Sequence, residues 1–285
     1  MLDRRTLLLA APALKLSSPG RSGAAQAICN GYEAVTGGRV GVFAENLKTA
    51  RTLSWRAHDR FLMCSSFKAS LAGCVLARVD RGQERLDRVI DYGREDLFPN
   101  SPVGEANLAK GGMGVGEMCQ AAVEVSDNTC ANLLLKSAGG PAALTAFWRA
   151  LGDNVTRLDH FELELNRGKP GSAPDTTSPA AMAGTLRRLI LGDALSSGSR
   201  GRLTDWMIAC KTGANRLRGG LPKAWRIADK TGNNGADAAG DIAVVWPTPD
   251  RPILISVYVW GGAPKPKQVE EVFAAIGRTI AKELA

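Results

Sequence analysis

The chain has 285 residues, of which 45% are hydrophobic and 22% charged, and its formal net charge is +8. This composition is typical of a soluble globular protein and excludes a chain that is disordered over most of its length. The length suits one compact enzyme or two lobes that share an interface. No dense run of lysine and arginine with interleaved aromatic residues occurs, which argues against nucleic-acid binding.

Residues 1–21 have the pattern of an export signal. Arg4 and Arg5 precede a short apolar stretch, residues 7–14, which ends in small residues. A basic start with an apolar run too short to cross a bilayer is typical of a secretory leader, and the arginine pair favours the twin-arginine type over the general one. We therefore expect a periplasmic or secreted protein without a stable membrane span. The cleavage site stays open.

The predicted elements begin with a helix over residues 22–36, because apolar side chains recur there at spacings of three and four. Strands follow at 39–45 and 52–56. The middle of the chain is mostly helical, and residues 159–178 are a long polar loop, which in a compact domain is usually functional. The predicted middle helices span 65–81, 121–138, 141–151 and 180–191.

Strands return near the end of the chain, at residues 225–230, 241–246 and 253–260, where β-branched residues are concentrated. A last helix carries Val269, Val272, Phe273, Ile276, Ile280 and Leu284 on one face. The two groups of strands predict one α+β fold, with an antiparallel five-stranded sheet flanked by the N- and C-terminal helices and an inserted all-helical lobe. The expected lobes are residues 22–60 with 209–285, and residues 61–208 including the loop.

The residues that could serve as metal ligands or bases are few. The chain has two histidines, His58 and His160, and neither a cysteine pair with zinc-ligand spacing nor a nucleophile elbow of the G-x-S-x-G type. We therefore expect no metal or cofactor, and acid–base chemistry must come from carboxylates and lysines. The six cysteines permit disulfides in an exported protein, with buried free thiols as the alternative. They are Cys29, Cys64, Cys74, Cys119, Cys130 and Cys210.

The first candidate motif is Ser65-Ser66-Phe67-Lys68. Ser65 and Lys68 are three residues apart at the start of a predicted helix, so both side chains lie on one face. A serine hydroxyl needs a base to become a nucleophile, and a lysine whose ammonium is destabilised can be that base. The motif alone is weak, because a helix cap followed by a surface lysine would give the same letters.

Two further motifs follow in the chain. Ser126-Asp127-Asn128 is a rarer tripeptide that can shuttle a proton and orient an amide, although it also suits an ordinary turn. Lys230-Thr231-Gly232 ends a predicted strand, where an ammonium and a hydroxyl would bind a carboxylate and Gly232 would permit a close backbone approach. Lys211-Thr212-Gly213 has the same letters without a strand pattern, so we assign it to a loop.

These three motifs in this order match the set known for penicillin-binding proteins and class A β-lactamases. From about residue 22 to the end, the chain resembles class A serine β-lactamases. Glu162-Leu163-Glu164-Leu165-Asn166 is similar to the E-x-x-L-N segment of that family. The resemblance implies that Glu162 and Asn166 hold the water that hydrolyses an acyl-enzyme on Ser65, whereas the alternative for Glu162 is a solvated loop carboxylate.

The resemblance implies the remaining roles as well. Lys68, or Glu162 through water, would activate Ser65, and the backbone N–H groups of Ser65 and Asn233 would form the oxyanion hole. Ser126 would pass a proton to the leaving nitrogen. The substrate, a small β-lactam, would be held by Asn128, Lys230, Thr231, Gly232 and Arg216, although Arg216 could be an ordinary surface residue.

The sequence departs from the family at several positions. The family often closes its long loop with an Arg–Asp pair, and here His160 stands at the arginine position opposite Asp175, a weaker and pH-dependent partner. Some members of the family have a disulfide between the positions of Cys119 and Ala72, and others between the positions of Cys64 and Asn234. Each pair lacks one cysteine here, so no disulfide is assigned. Asn100, Asn233 and Asn234 lie where specificity is tuned, and the substrate spectrum stays open.

Three other functions remain compatible with the motifs. A D,D-peptidase or penicillin-binding protein would acylate without productive deacylation. A non-catalytic sensor domain would bind β-lactams without turning them over, and a serine esterase is the third alternative. In each case we expect a monomer.

Overall fold

The computed structural model describes residues 23–285, and the predicted export signal, residues 1–21, lies outside the described residues. Most of the predicted helices are found with small shifts at their ends. A π-helical turn, Arg187–Leu191, continues the seventh helix. The helices are α1 (Gly23–Thr36), α2 (Phe67–Asp80), α3 (Pro102–Asn107), α4 (Val115–Glu124), α5 (Asn128–Ser137), α6 (Gly140–Ala150), α7 (Pro179–Leu186), α8 (Ser197–Ile208), α9 (Leu217–Gly220) and α10 (Pro266–Leu284).

Five strands form one antiparallel sheet in the order β2-β1-β9-β8-β7, which confirms the predicted sheet. Two short ladders pair β3 with β6 and β4 with β5. The strands are β1 (Arg39–Asn46), β2 (Thr52–Trp55), β3 (Phe61–Leu62), β4 (Val89–Asp91), β5 (Gly112–Gly114), β6 (Thr176–Thr177), β7 (Arg226–Asn233), β8 (Ala238–Trp246) and β9 (Ile253–Trp260).

The sheet separates two apolar clusters because successive side chains of a strand point to opposite faces. In β8, Ile242 and Val244 pack with the middle helices, whereas Ala243 and Val245 pack with α1 and α10. Every residue of β9, the central strand, is buried. The sheet is therefore covered by helices on both faces. The boundaries of the two lobes stay a prediction.

The predicted single helix over residues 121–138 is wrong. Helix α4 ends at Glu124 and α5 begins at Asn128, and Ser126 between them has a φ of +61°. Asp127 caps α5, because its side chain accepts a hydrogen bond from the backbone N–H of Cys130. The apolar periodicity continues across the break, so the pattern alone conceals it. The predicted start at Ser65 also shifts, because residues Cys64–Ser66 form a 3₁₀ turn before α2.

All six cysteines are buried and free. The question of disulfides is therefore answered in favour of buried thiols. No helix in the described part of the chain, residues 23–285, combines the length and the apolar character needed to cross a bilayer.

Candidate active site

Ser65 lies in the 3₁₀ turn that leads into α2, where strand β7 approaches the backbone very closely. A Cβ atom on Gly232 would lie 2.5 Å from the carbonyl oxygen of Met63 and 2.9 Å from the backbone nitrogen of Ser66. Only glycine fits this approach, which explains the last letter of the Lys-Thr-Gly motif. The strand that carries Lys230 and Thr231 is thereby held against the turn that carries Ser65.

The same turn is tied to the centre of the sheet. Ser66 Oγ lies 2.9 Å from the phenolic oxygen of Tyr258 on β9. Tyr258 packs over Gly240 of β8, where an added Cβ would lie 2.3 Å from its ring. The residue next to Ser65 is therefore positioned by the packing of two central strands.

Lys68 is completely buried and lies among acceptors. Its Nζ donates to Asn128 Oδ1 at 2.5 Å and to the backbone oxygen of Ser126 at 2.9 Å, and it lies 3.2 Å from Glu162 Oε1. Burial lowers the pKa of Lys68, and the charge of Glu162 opposes this shift. The alternative of a helix cap with a surface lysine is therefore wrong.

The Ser126-Asp127-Asn128 motif places one hydroxyl between two lysines. Ser126 Oγ lies 3.4 Å from Lys68 Nζ and 3.1 Å from Lys230 Nζ. Asp127 is buried, and it fixes the turn by accepting backbone N–H groups from α3 and α5. The Ser126 hydroxyl can therefore exchange a proton with either lysine.

Lys230 is completely buried on β7. Its Nζ donates to Ser126 Oγ and to the backbone oxygen of Thr231 at 2.8 Å. Burial lowers the pKa of Lys230 to about 8. Thr231 Oγ1 lies 2.5 Å from Thr212 Oγ1, which belongs to the second Lys-Thr-Gly segment. The assignment of that segment to a loop is confirmed, but its proximity to the site was missed because no strand pattern marks it.

Glu162 comes from the long loop and reaches the nucleophile directly. Ser65 Oγ donates to Glu162 Oε1 at 2.9 Å, and Asn166 Nδ2 donates to Glu162 Oε2 at 2.5 Å. The side chain of Glu162 is 0% exposed, so the alternative of a solvated loop carboxylate is wrong. Asn132 of α5 clamps the backbone of Glu162 with two hydrogen bonds, at 2.8 and 2.9 Å. No motif pointed to Asn132, although its position one helical turn after Asn128 was a usable signal.

The ends of the loop are closed by His160 and Asp175. His160 Nδ1 lies 2.6 Å from Asp175 Oδ2, and Asp175 Oδ1 accepts the backbone N–H groups of Asp159 and His160 at 2.8 and 3.0 Å. The hydrogen bond with Asp175 raises the pKa of His160 above its ordinary value. The histidine therefore takes the place of the arginine that the resemblance implied.

Arg216 packs against the edge of the site. Its Nη1 donates to the backbone oxygens of Gly232 and Gly240, each at 2.7 Å. It borders a cavity of about 420 Å³ whose lining includes Thr212, Asn233 and Glu270. The guanidinium is thus fixed on β7 and β8 beside the Lys-Thr-Gly motif, and its contact with a substrate stays a prediction.

Hydrogen bonds and one ion pair bring most of the predicted residues together in one cluster. The site pairs a serine hydroxyl with a buried carboxylate and supplies two lysines, a second serine and an arginine, the groups needed for acyl transfer onto a hydroxyl. Within residues 23–285, no group of three or more histidine, cysteine, aspartate or glutamate side chains could hold a metal ion.

The comparisons with known proteins agree with the family that these site residues suggest. A sequence model of the β-lactamase enzyme family matches residues 24–284. The chain is 52% identical to an ancestral class A β-lactamase, GNCA, over 91% of this chain and 99% of that one, with a TM-score of 0.87. It is 50% identical to the class A β-lactamase of the last common ancestor of Gram-negative bacteria, GNCA4, over 93% and 100% of the two chains, with a TM-score of 0.89.

A third structure has a named bacterial source. PenP of Rhodopseudomonas palustris, which is assigned to the class A β-lactamases, is 48% identical over 92% of this chain and 100% of that one, with a TM-score of 0.88. The chain therefore belongs to the class A β-lactamases, enzymes that hydrolyse β-lactams.

Proposed function

We propose that the protein hydrolyses β-lactam antibiotics through an acyl-enzyme on Ser65, which is released by a water that Glu162 activates. One observation carries the proposal: Ser65 Oγ donates to Glu162 Oε1 at 2.9 Å, and that carboxylate is buried. Asn166 and Lys68 hold its two oxygens in place. A base within hydrogen-bond distance of the proton that it abstracts is the geometric requirement of general base catalysis.

In the acylation step, Ser65 Oγ attacks the lactam carbonyl carbon and its proton passes to the base. The direct contact supports Glu162 as the acceptor without an intervening water. Lys68, whose Nζ lies 3.2 Å from Glu162 Oε1, is the alternative base in the same cluster, and burial lowers its pKa. The carbonyl oxygen, which becomes negative, would be held by the backbone N–H groups of Ser65 and Asn233.

Breaking the lactam C–N bond requires a proton on the leaving nitrogen. Ser126 Oγ is suited to supply it, and Lys68 and Lys230 lie 3.4 and 3.1 Å from that oxygen to replace the proton. Lys230, Thr231 and Arg216 would bind the carboxylate of the substrate. Asn128 would form a hydrogen bond with the amide in the side chain of the substrate.

Deacylation requires that Glu162 can accept a proton from water once the ester on Ser65 has formed. The proton that Glu162 received in acylation passes to Lys68, which lies 3.2 Å from Glu162 Oε1 and has given a proton to Ser126. Because the acylated Ser65 Oγ no longer donates to it, Glu162 Oε1 is then free to accept a water proton. The water attacks the ester carbonyl carbon, and Ser65 leaves with the proton. A positioned carboxylate base contributes roughly 10²–10⁴-fold to such a step.

The test is intact-protein mass spectrometry combined with steady-state kinetics on benzylpenicillin. We expect wild type to turn over the substrate, Glu162→Gln to accumulate an adduct on Ser65 and turn over roughly 10²–10⁴-fold more slowly, and Ser65→Ala to carry no adduct. Glu164→Gln is the matched control, because Glu164 lies two residues along the same loop, is half-exposed and pairs with Arg167. It should behave as wild type.

Other outcomes would point to the alternatives. A single burst on wild type, with a persistent adduct, would favour a D,D-peptidase or penicillin-binding protein. Binding without any adduct on wild type or on Glu162→Gln would favour a sensor domain. Rapid deacylation by Glu162→Gln would remove the role of Glu162.

We further propose that the protein is exported, through a twin-arginine signal that contains Arg4 and Arg5, and that it acts as a monomer of two lobes. Cell fractionation of wild type and of an Arg4→Lys, Arg5→Lys double variant tests the export route. Retention of the double variant inside the cell is the expected result. Sedimentation velocity tests the oligomeric state.

A further inference from the structure

The Lys211-Thr212-Gly213 segment has no part in the proposed reaction, yet it reaches the site. The segment lies in the loop between α8 and α9 and brings Thr212 Oγ1 to 2.5 Å from Thr231 Oγ1. Thr212 is exposed and lines the cavity that Arg216 borders, whereas Thr231 is buried. A second hydroxyl therefore lies directly behind the one that is proposed to bind a carboxylate.

The direction of this hydrogen bond decides what Thr231 offers to a substrate. A hydroxyl has one proton and two lone pairs. If Thr231 donates to Thr212, it turns only lone pairs toward the cleft and repels an anion. If Thr212 donates, the proton of Thr231 is free for the anion. Across residues 23–285, Thr212 is the one side-chain hydrogen-bond partner of Thr231 Oγ1.

A bound anion selects the second arrangement, because it accepts the proton of Thr231 and leaves the lone pairs of Thr231 to accept from Thr212. Cys210 Sγ lies 3.3 Å from Thr212 Oγ1 and is a second hydrogen-bond partner of that hydroxyl, and burial raises the pKa of the Cys210 thiol. With the anion bound, Thr212 donates to Thr231, which donates to the anion. In a chain of this kind each donor polarises the next one, so the last donor becomes stronger.

We propose that Thr212 is a positioning residue, which sets the Thr231 hydroxyl as a donor toward the anionic group of the substrate. The proposal rests on the proposed function, since it assumes that Thr231 binds the substrate carboxylate. It gives the site a preference for β-lactams that carry an anion next to the ring nitrogen over neutral ones. Thr212 acts through Thr231 and needs no contact of its own with the substrate.

The test compares two variants on two substrates. Thr212→Val keeps the branched shape and removes the donor, whereas Thr212→Ser keeps the hydroxyl. On benzylpenicillin we expect Thr212→Val to lose about 3- to 10-fold in kcat/KM, the size expected for one hydrogen bond. The loss should appear mainly as a higher KM, because this hydrogen bond is present in the bound substrate as well as in the transition state. Thr212→Ser should stay within about twofold of wild type, because its hydroxyl still donates. On the methyl ester of benzylpenicillin, the loss in Thr212→Val should be smaller, because hydrogen bonds to an ion are the stronger ones.

Three results would overturn the role of Thr212: no loss in Thr212→Val on the acid, equal losses on the acid and the ester, or a Thr212→Ser variant as impaired as Thr212→Val. Mass spectrometry of Ser65 separates this failure from that of the proposed function. Absence of an adduct and of turnover in wild type would refute the proposed function. Normal acylation of all three proteins with unchanged KM would refute only the role of Thr212.

Discussion

Replacing His160 with arginine should make the closure of the long loop independent of pH. In wild type, His160 Nδ1 lies 2.6 Å from Asp175 Oδ2. The charged groups around this pair are Asp159, Glu164 and Arg157, and the last of these pairs with Asp159. Arg157 stays charged at any relevant pH, so His160 is the group whose charge changes near neutrality.

The sign follows from the direction of the pKa shift. The pKa of His160 is raised in the folded protein, chiefly by its hydrogen bond with Asp175. Its contribution to stability is therefore fully present below the unfolded pKa of about 6.5 and is lost as the pH rises through the folded value. The neutral ring can still donate one hydrogen bond, so only the ionic part disappears.

The magnitude is modest because the His160 side chain is 48% exposed. Exposed ion pairs contribute about 0.2–1 kcal/mol, which corresponds to at most about a fivefold change in the ratio of closed to open loop. The stabilisation of His160→Arg relative to wild type should therefore grow by up to about 1 kcal/mol between pH 6 and pH 9. His160→Gln, a neutral donor, is the control: it should be less stable than wild type by up to about 1 kcal/mol at pH 6 and match wild type at pH 9, where the histidine ring is uncharged.

The assay is the free energy of unfolding as a function of pH, together with hydrogen exchange of the amides of residues 159–178. Faster exchange in wild type at pH 9 than at pH 6, after correction for the intrinsic rate, is expected, and His160→Arg should remove that difference. Stability curves of wild type and His160→Arg that run parallel from pH 6 to pH 9 would refute the reasoning.

Four further outcomes are expected. Because burial lowers the pKa of Lys230 to about 8, kcat/KM for anionic β-lactams should fall above that pH as the ammonium deprotonates. Lys230→Arg should move this fall in kcat/KM to higher pH. A fall at the same pH in Lys230→Arg would show that another group causes it. Arg216→Ala should lose about tenfold in kcat/KM on benzylpenicillin, measured by steady-state kinetics, with Arg216→Lys retaining part of the activity. Asn132→Ala removes both bonds to the backbone of Glu162 and should lower the free energy of unfolding by about 1–3 kcal/mol and slow deacylation, as chemical denaturation and burst kinetics would report. Since all cysteines of the described part are free, a reductant should leave the melting temperature unchanged in calorimetry, and a drop would reveal a disulfide.

The sequence predicted the fold best where periodicity and local chemistry agree. The strand at 253–260 follows from its concentration of β-branched residues, and the apolar face of α10 follows from helical spacing. The order of strands in the sheet could not be read in this way, because pairing depends on contacts between distant segments. Helix α8, which contains Gly198 and Gly201, was missed because it has neither strong propensity nor a clear apolar face.

For the site, the motif residues could be predicted from the sequence, whereas the residues that hold them in place could not. The approach of Ser65 to Glu162 depends on the path of a loop that has no periodic pattern. Thr212 reaches the site only because the loop before α9 folds toward it, which no local signal encodes, whereas Asn132 had one usable signal, its position one helical turn after Asn128. The break at Ser126 also stayed hidden, because a single residue with positive φ interrupts an otherwise continuous apolar pattern.

The packing around Gly240 restricts how this enzyme can change. Any larger residue there would displace the ring of Tyr258, and through its bond to Ser66 it would disturb the turn that carries the nucleophile. The same residue presents its carbonyl oxygen to Arg216. A side chain at position 240 would therefore disturb two parts of the site at once, the turn that carries Ser65 and the anchor of Arg216.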